Sequence, residues 1–197
     1  MSGPGAGRRG RGRVALGRVP YAGLETLLRH ELASEEDRGT ARLMTRLRHA
    51  RRRGWFSRAE FLTMCRWKSP RAIGRCRRNS AAAVRRASRA VLATRSERAR
   101  VTLLTELHGV SVPTASAILT LLDPRRYGVL DIRAWQLLFE LASVGRNPTG
   151  RGFTVGDWLD YLDELRRHAR RLRTSARAVE YTLFLCHRKF QRGRLYA

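Results

Sequence analysis

The chain has 197 residues, 41 Lys and Arg against 16 Asp and Glu, a formal net charge of +25 and 43% hydrophobic residues. That length suits one compact domain and is short for two sizeable cores, and the apolar content argues against wholesale disorder. A cationic excess this large favours a polyanion as partner, and no run approaches the roughly 18 apolar residues of a membrane span, which excludes an integral membrane protein.

Residues 1–18, MSGPGAGRRGRGRVALGR, are rich in Gly and Arg and nearly devoid of large apolar groups. Such a segment cannot offset its own ordering entropy, so a disordered basic arm is expected, followed by one domain over 19–197. The arm has neither the apolar stretch nor the cleavage site of a secretory signal, and a cytoplasmic, nucleoid-associated location is expected. Leu24, Leu27 and Leu28 then suggest a first helix. Ser34 is expected to start a second, with Glu35, Glu36 and Asp37 in its first turn and Leu43, Met44 and Leu47 facing inward. Ser57 to Glu60 reads as a capping box for a helix ending near Trp67, with a break at Pro70.

Asn79 or Ser80 caps the next helix, whose apolar stripe is Val84, Ala87 and Val91. Val101, Leu104 and Leu107 continue the spacing, and after Gly109 the residues Ala115, Ile118, Leu119 and Leu122 form another inward face ended by Asp123-Pro124. A helix from Ile132 is expected to bury Trp135, Leu138, Phe139 and Ala142. GRNPTGRGF, 145–153, reads as a loop, and Thr154 with Asp157 caps a long helix through Trp158, Leu162, Leu165 and Leu172. The last helix carries Val179, Leu183, Cys186 and Phe190. Trp55 and Trp158 are assigned to the core. Two-residue alternation is confined to the weak run YGVLDI, so the expected architecture is all-α, about eight to ten short helices in one domain.

The charge is unevenly placed. Residues 41–100 hold 19 basic and 2 acidic groups and residues 166–197 hold 10 and 1, whereas 101–165 hold 5 and 8. Lys68 and Lys189 are the only lysines, a ratio that mostly reflects the codon bias of a GC-rich genome, although arginine's planar fork also suits phosphate. Codon bias does not explain a slightly acidic centre between basic flanks. With only Glu60 and Glu97 as partners between Arg42 and Arg100, most of these arginines repel one another until an anion arrives. Nucleic acid is the expected partner, with binding that weakens steeply with salt. Cys65, Cys76 and Cys186 form no CxxC pair and cannot complete a four-thiolate metal or iron–sulfur site, and His108, His168 and His187 lack metal-ligand spacing. No metal or cofactor is expected.

The informative segment is 107–131, LHGVSVPTASAILTLLDPRRYGVLD. A helix ends near Leu107, Gly109 permits a tight turn, Ser111 caps the following helix and Pro113 sits in its first turn. Amides at such a helix start are a phosphate site that needs no side-chain charge. The segment resembles the helix-hairpin-helix DNA glycosylase superfamily, in particular its adenine and 8-oxoguanine glycosylases. Leu107, Gly109, Val110, Thr114 and Ala115 match the family's hairpin pattern, and Val129-Leu130-Asp131 matches its acidic segment at the family's spacing. The similarity covers roughly residues 100–142. Ser111 departs from the usual second glycine, and Pro113 stands where bifunctional members have the lysine that forms a Schiff base.

The resemblance implies a monofunctional DNA N-glycosylase, acting as a monomer on duplex DNA with a flipped damaged, mispaired or modified base. Asp131 would be the catalytic carboxylate, stabilising the positive charge that develops on the sugar; read alone, without the hairpin upstream, Asp131 reads as the cap of the helix from Ile132. Gly109, Val110, Ser111 and Thr114 would grip phosphate, as would Lys68 and Arg71. Trp67, Tyr127 and Trp135 are candidate walls of a base pocket, with Trp67 readable also as a core residue at a helix end and Trp135 as part of an apolar stripe. The alternatives are a noncatalytic DNA-binding protein that uses the hairpin as a clamp, and an Arg-rich RNA-associated protein.

Overall fold

The computed structural model describes residues 16–192. Among them are ten α-helices: α1 (Leu24–Glu31), α2 (Arg38–Arg53), α3 (Arg58–Lys68), α4 (Ile73–Cys76), α5 (Ala81–Ala93), α6 (Glu97–Thr105), α7 (Val112–Leu122), α8 (Ile132–Glu140), α9 (Val155–Arg171) and α10 (Ala176–Phe190), with a short 3-10 turn at Pro70–Ala72. No strand occurs among the described residues; one isolated antiparallel bridge joins Leu16 to Gln191. Most of the basic arm expected over 1–18 lies outside the described residues. Its last three residues do not behave as an arm, because Leu16 forms that bridge and the Gly17 amide donates to the Phe190 carbonyl at 2.8 Å.

Local chemistry sets the helix ends. Ser57 and Thr154 each open a helix with a reciprocal capping box, to Glu60 and Asp157, satisfying amides that the first turn leaves without intrahelical acceptors. The second helix starts four residues later than Ser34. Asp37 is its cap, accepting from the Thr40 amide at 2.9 Å, and Ser34–Glu36 are loop, because the Glu36 carboxylate is drawn to Arg177 instead. Ser80, not Asn79, caps α5. The helix from Ile132 stops before Ala142, which is exposed with φ at 53°. Trp158 is fully buried, whereas Trp55 leaves the core to lie between the guanidinium groups of Arg53 and Arg85, 4.1 and 4.4 Å from its ring centroid. That placement gives Arg85 a π-face and adds one to Arg53, which also pairs with Glu60 at 2.6 Å.

The centre of the molecule is α7, VPTASAILTLL, which carries no charge and is buried from Thr114 to Leu122. It packs against α2, α3, α6 and α9. Its hydroxyls are satisfied within the helix, Ser116 donating to the Pro113 carbonyl and Thr120 to the Ser116 carbonyl, each at 2.8 Å. A second group is formed by α8, α9 and α10, joined by α1, which packs on α10. The two groups meet where α6 and α7 touch α9, giving one continuous unit with a single core cluster.

Gly109 shows what the α6–α7 turn requires. Its φ is +79°, and a Cβ there would lie 2.8 Å from the Cys76 backbone nitrogen and 2.9 Å from Arg75 Cβ. Gly54 has a similar φ, +78°, with open space around it. Gly54→Ala is therefore expected to cost about 1–2 kcal/mol, from the left-handed backbone alone, and Gly109→Ala about 2–5 kcal/mol, because close packing adds to it. Urea unfolding of the two variants measures the difference; equal losses would show that the approach of α4 is not what demands glycine at 109.

Candidate functional site

The turn between α6 and α7 is closed by its own backbone, with the Leu107 amide donating to Leu104 and the Val110 amide to Leu107 at 3.2 and 3.1 Å. Ser111 then caps α7, its Oγ accepting from the Thr114 amide at 3.4 Å and lying 3.1 Å from Thr114 Oγ1. Since Pro113 has no N–H and the Thr114 amide is engaged, the amides left for an anion at this turn are those of Ser111 and Val112. The residue that holds the turn in place is Asn79. Its Oδ1 accepts from the His108 amide at 2.9 Å, and its Nδ2 donates to the His108 and Cys76 carbonyls at 2.9 and 2.8 Å. Val110 is buried beneath the turn and Ser111 is exposed on it, while Arg71 is exposed in the 3-10 turn that precedes α4.

Beyond α7 the chain runs extended through Gly128–Leu130 without a partner strand, so its backbone groups need other acceptors and donors. Three side chains supply them. The Val129 amide donates to Glu180 Oε2 at 3.1 Å, the Val129 carbonyl accepts from Tyr161 Oη at 2.9 Å, and the Leu130 amide donates to Ser116 Oγ at 2.8 Å. Gly128 is required by contact: a Cβ would meet Leu165 Cδ1 at 2.4 Å and Glu180 Cβ at 2.7 Å. This buried anchorage delivers Asp131 to the start of α8, where its Oδ1 accepts from the Arg133 amide at 2.9 Å.

The other carboxylate oxygen of Asp131 faces a different element. Lys68, the last residue of α3, places Nζ 3.0 Å from Asp131 Oδ2. The side chains are 17% and 20% exposed, so the pair is largely withdrawn from solvent yet open at one side. Burial pushes the Asp131 carboxyl upward, but the Lys68 ammonium and the Arg133 amide outweigh it and hold the group below the ordinary aspartate value. Asp131 is thus both a helix cap and half of an ion pair.

Two hollows adjoin this pair. One, about 670 Å³, runs along the start of α7 and is lined by Ser69, Ser111, Pro113, Thr114 and the Gly150–Phe153 loop. The other, about 360 Å³, is lined by Trp67, Thr40, Tyr181, Phe184, Arg177 and the carboxylates of Glu36, Asp37 and Glu180. Lys68 and Asp131 line both. In the smaller chamber Tyr181 and Phe184 lie nearly parallel, 6.4 Å apart, and the Arg177 guanidinium sits 4.8 Å from the Tyr181 ring centroid and 5.8 Å from that of Trp67. Arg177 is held by Glu36 at 2.6 and 3.0 Å and by Glu180. Trp67 Nε1 donates to Thr40 Oγ1 at 3.1 Å, fixing that wall. With Asp131 the chamber presents four carboxylates against two cations, an acidic hollow in a basic chain.

The structure therefore brings together Asp131, Lys68, Trp67, Ser111 and Thr114. It does not bring Tyr127 or Trp135 to the chamber. Tyr127 is buried elsewhere, stacked on Trp158 with its hydroxyl donating to Glu97 Oε2 at 2.9 Å, and Trp135 is fully buried against Phe153 and Tyr161, its Nε1 donating to the Asn147 carbonyl at 2.8 Å. Their places are taken by Tyr181 and Phe184, which sequence reasoning passed over. The available signal was Arg177-x3-Tyr181-x2-Phe184, a second helical stripe beside the Val179, Leu183, Cys186 stripe that α10 buries in the core. Lys68, expected on phosphate, is turned to Asp131. Among the described residues no group of three or more His, Cys, Asp or Glu is placed to hold a metal, and no helix is long and apolar enough to cross a membrane.

Because the folded Asp131 value lies below the ordinary one, the site contributes stability above the normal carboxylate range and loses it as pH falls through the folded value. Lys68→Met leaves burial opposed mainly by the Arg133 amide, so the Asp131 carboxyl is expected to titrate at higher pH than in the parent. Carbon-detected NMR of the side-chain carboxyls reads this directly; an unmoved titration would mean that Lys68 does not face Asp131 in solution. Comparison with known proteins adds no name to this geometry: no protein-family model, no curated protein and no solved structure matches the chain.

Proposed function

We propose that this protein is a DNA N-glycosylase of helix-hairpin-helix type, binding duplex DNA and breaking the base–sugar bond of a flipped nucleotide at Asp131. The observation that carries this reading is the position of Asp131 on the seam between a groove along the start of α7 and a smaller, partly open hollow with aromatic walls. A flipped nucleotide has three parts with different needs. Its phosphates want donors and positive charge, its sugar wants a fixed carboxylate as positive charge develops at C1′, and its base wants a flat slot with hydrogen-bond partners.

The three regions follow that order. The groove beside the start of α7 offers the Ser111 and Thr114 hydroxyls and the exposed Arg151. Arginines 71, 75, 77 and 78, all exposed around the turn that Asn79 holds, extend the positive surface beyond the groove. The chamber offers Trp67, Tyr181 and Phe184 as flat walls, and its carboxylates favour a base edge that presents N–H donors. Between them Asp131 is kept ionised by Lys68 and the Arg133 amide. A carboxylate already charged and already oriented stabilises an oxocarbenium-like sugar without reorganising at the moment of reaction.

The test uses duplexes carrying a panel of altered bases, with released base measured by chromatography and abasic sites revealed by hot alkali. The parent protein is expected to release at least one base, and Asp131→Asn to lower that rate roughly 100-fold or more with duplex affinity retained. Asn keeps an acceptor for the Arg133 amide, so the α8 cap survives. Full activity in Asp131→Asn would remove this residue from the chemistry. Tight duplex binding by the parent, with no base released across the panel, would favour a noncatalytic clamp.

A further inference from the structure

We infer that Lys68 is the nucleophile of this site: its amine attacks C1′ of the flipped nucleotide, and the protein also cleaves the strand at abasic sites. This rests on the glycosylase reading above and names the group that completes it. The sequence expectation of a monofunctional enzyme came from Pro113, which closes the route through a lysine at that position. The fold supplies an amine from another direction, the C-terminal end of α3.

Three observations support the assignment. Lys68 Nζ is 3.0 Å from Asp131 Oδ2, within reach for direct proton transfer. It lines both the groove and the chamber, which is where a sugar linking a held phosphate to an inserted base must sit. Lastly, it is lysine. The chain meets its need for cations with 39 arginines and two lysines, and Lys189 lies on the surface against Glu31. An ion pair with Asp131 would be served at least as well by a guanidinium, which binds carboxylate bidentately; what a guanidinium cannot do is give up its proton and become a nucleophile.

The bond from C1′ to the base nitrogen breaks with its electron pair leaving on the base, while the Asp131 carboxylate, still ionised, faces the positive charge that develops on the sugar. The departing base takes a proton from the Lys68 ammonium, and the freed amine lone pair forms a bond to C1′. A proton then moves from the new secondary ammonium to O4′ as the C1′–O4′ bond breaks, leaving a ring-opened protonated imine between Lys68 and C1′. Loss of a C2′ proton to the Asp131 carboxylate, with departure of the 3′-phosphate and its electron pair, cuts the strand.

The probe is a duplex containing one preformed abasic site, which needs no knowledge of the natural base, incubated with full-length protein and sodium borohydride. Hydride addition to the imine locks protein to DNA. The expected adduct is a single product whose tryptic mapping places the modification on Lys68, within the peptide of residues 67–71. Lys68→Arg keeps the charge opposite Asp131 and is expected to lower trapping about 100-fold or more. Lys68→Cys should be inactive until alkylated with 2-bromoethylamine, which rebuilds an amine-ended side chain of lysine's length with sulfur in place of Cγ; rescue by this amine but not by the guanidinium of Lys68→Arg is a pattern that a purely structural cation at 68 would not give. An adduct mapped to Lys189 or the N-terminus, or undiminished trapping by Lys68→Arg, would overturn the assignment. Base release with no trappable adduct would overturn it too while leaving the glycosylase reading intact. A Lys68 adduct on abasic DNA with no base released from any duplex would uphold Lys68 and sink the glycosylase reading.

Discussion

The contact between Lys68 and Asp131 joins the two halves of the molecule at the point where both hollows begin. Lys68 ends α3, which packs on the central α7, and Asp131 starts α8, which packs on α10. An ion pair so withdrawn from water is costly to form unless both charges keep further partners, and its net contribution to stability is small or negative compared with an apolar pair. Asp131 has a second donor in the Arg133 amide, and its backbone is delivered by a segment whose hydrogen bonds all go to side chains of α7, α9 and α10. So much polar anchorage around one carboxylate is expensive as mere scaffolding. On the glycosylase proposal it serves as preorganisation, the fixing of a charge before the chemistry that would use it.

Electrostatics divides the surface from the site. Most arginines stay on the outside, while the few carboxylates are concentrated at organising points. Glu97 alone accepts from Arg100, Arg126, Arg166 and Tyr127, tying α6, the 123–131 segment and α9 together. Glu36 and Glu180 hold Arg177. This leaves an acidic, aromatic hollow in a strongly basic molecule, so the exterior and the hollow are suited to different chemical groups. On the glycosylase proposal, a duplex would be drawn to the surface by its phosphates and the smaller hollow would take only what has left the stack.

Much of the helical architecture was legible because the signals are local. Capping boxes at Ser57 and Thr154, the break at Pro70, the cap at Ser111 and the apolar spacing of α5, α7 and α10 depend on neighbours within a few residues. Where expectation and structure part, a distant partner decides. Ser34 failed as a cap because Glu36 reaches across to Arg177; Asn79 failed as a cap because it clamps His108; Trp55 left the core for two arginines. The site shows the same division. Asp131 and the turn at Gly109 could be read from their spacing, whereas the meeting of Lys68 with Asp131 spans 63 positions and has no periodic signature. Trp135 and Tyr127 were attractive as pocket walls because they flank Asp131 in sequence, yet helix geometry turns Trp135 to the opposite, buried face. The aromatic side chains that line the smaller hollow with Trp67 are Tyr181 and Phe184 of α10, some fifty residues later, beside a core stripe that masked them.

The proposed chemistry depends on one spatial arrangement, with the sugar of an extruded nucleotide in the seam between the groove and the smaller hollow. A structure of the protein bound to a duplex carrying a pyrrolidine analogue of the sugar cation measures this most directly. The account requires the ring nitrogen within hydrogen-bonding distance of the Asp131 carboxylate, with phosphates along the start of α7 and the space beyond the sugar opening toward Trp67, Tyr181 and Phe184. A duplex seated on another face, with Asp131 and Lys68 still paired and remote from the analogue, would contradict it.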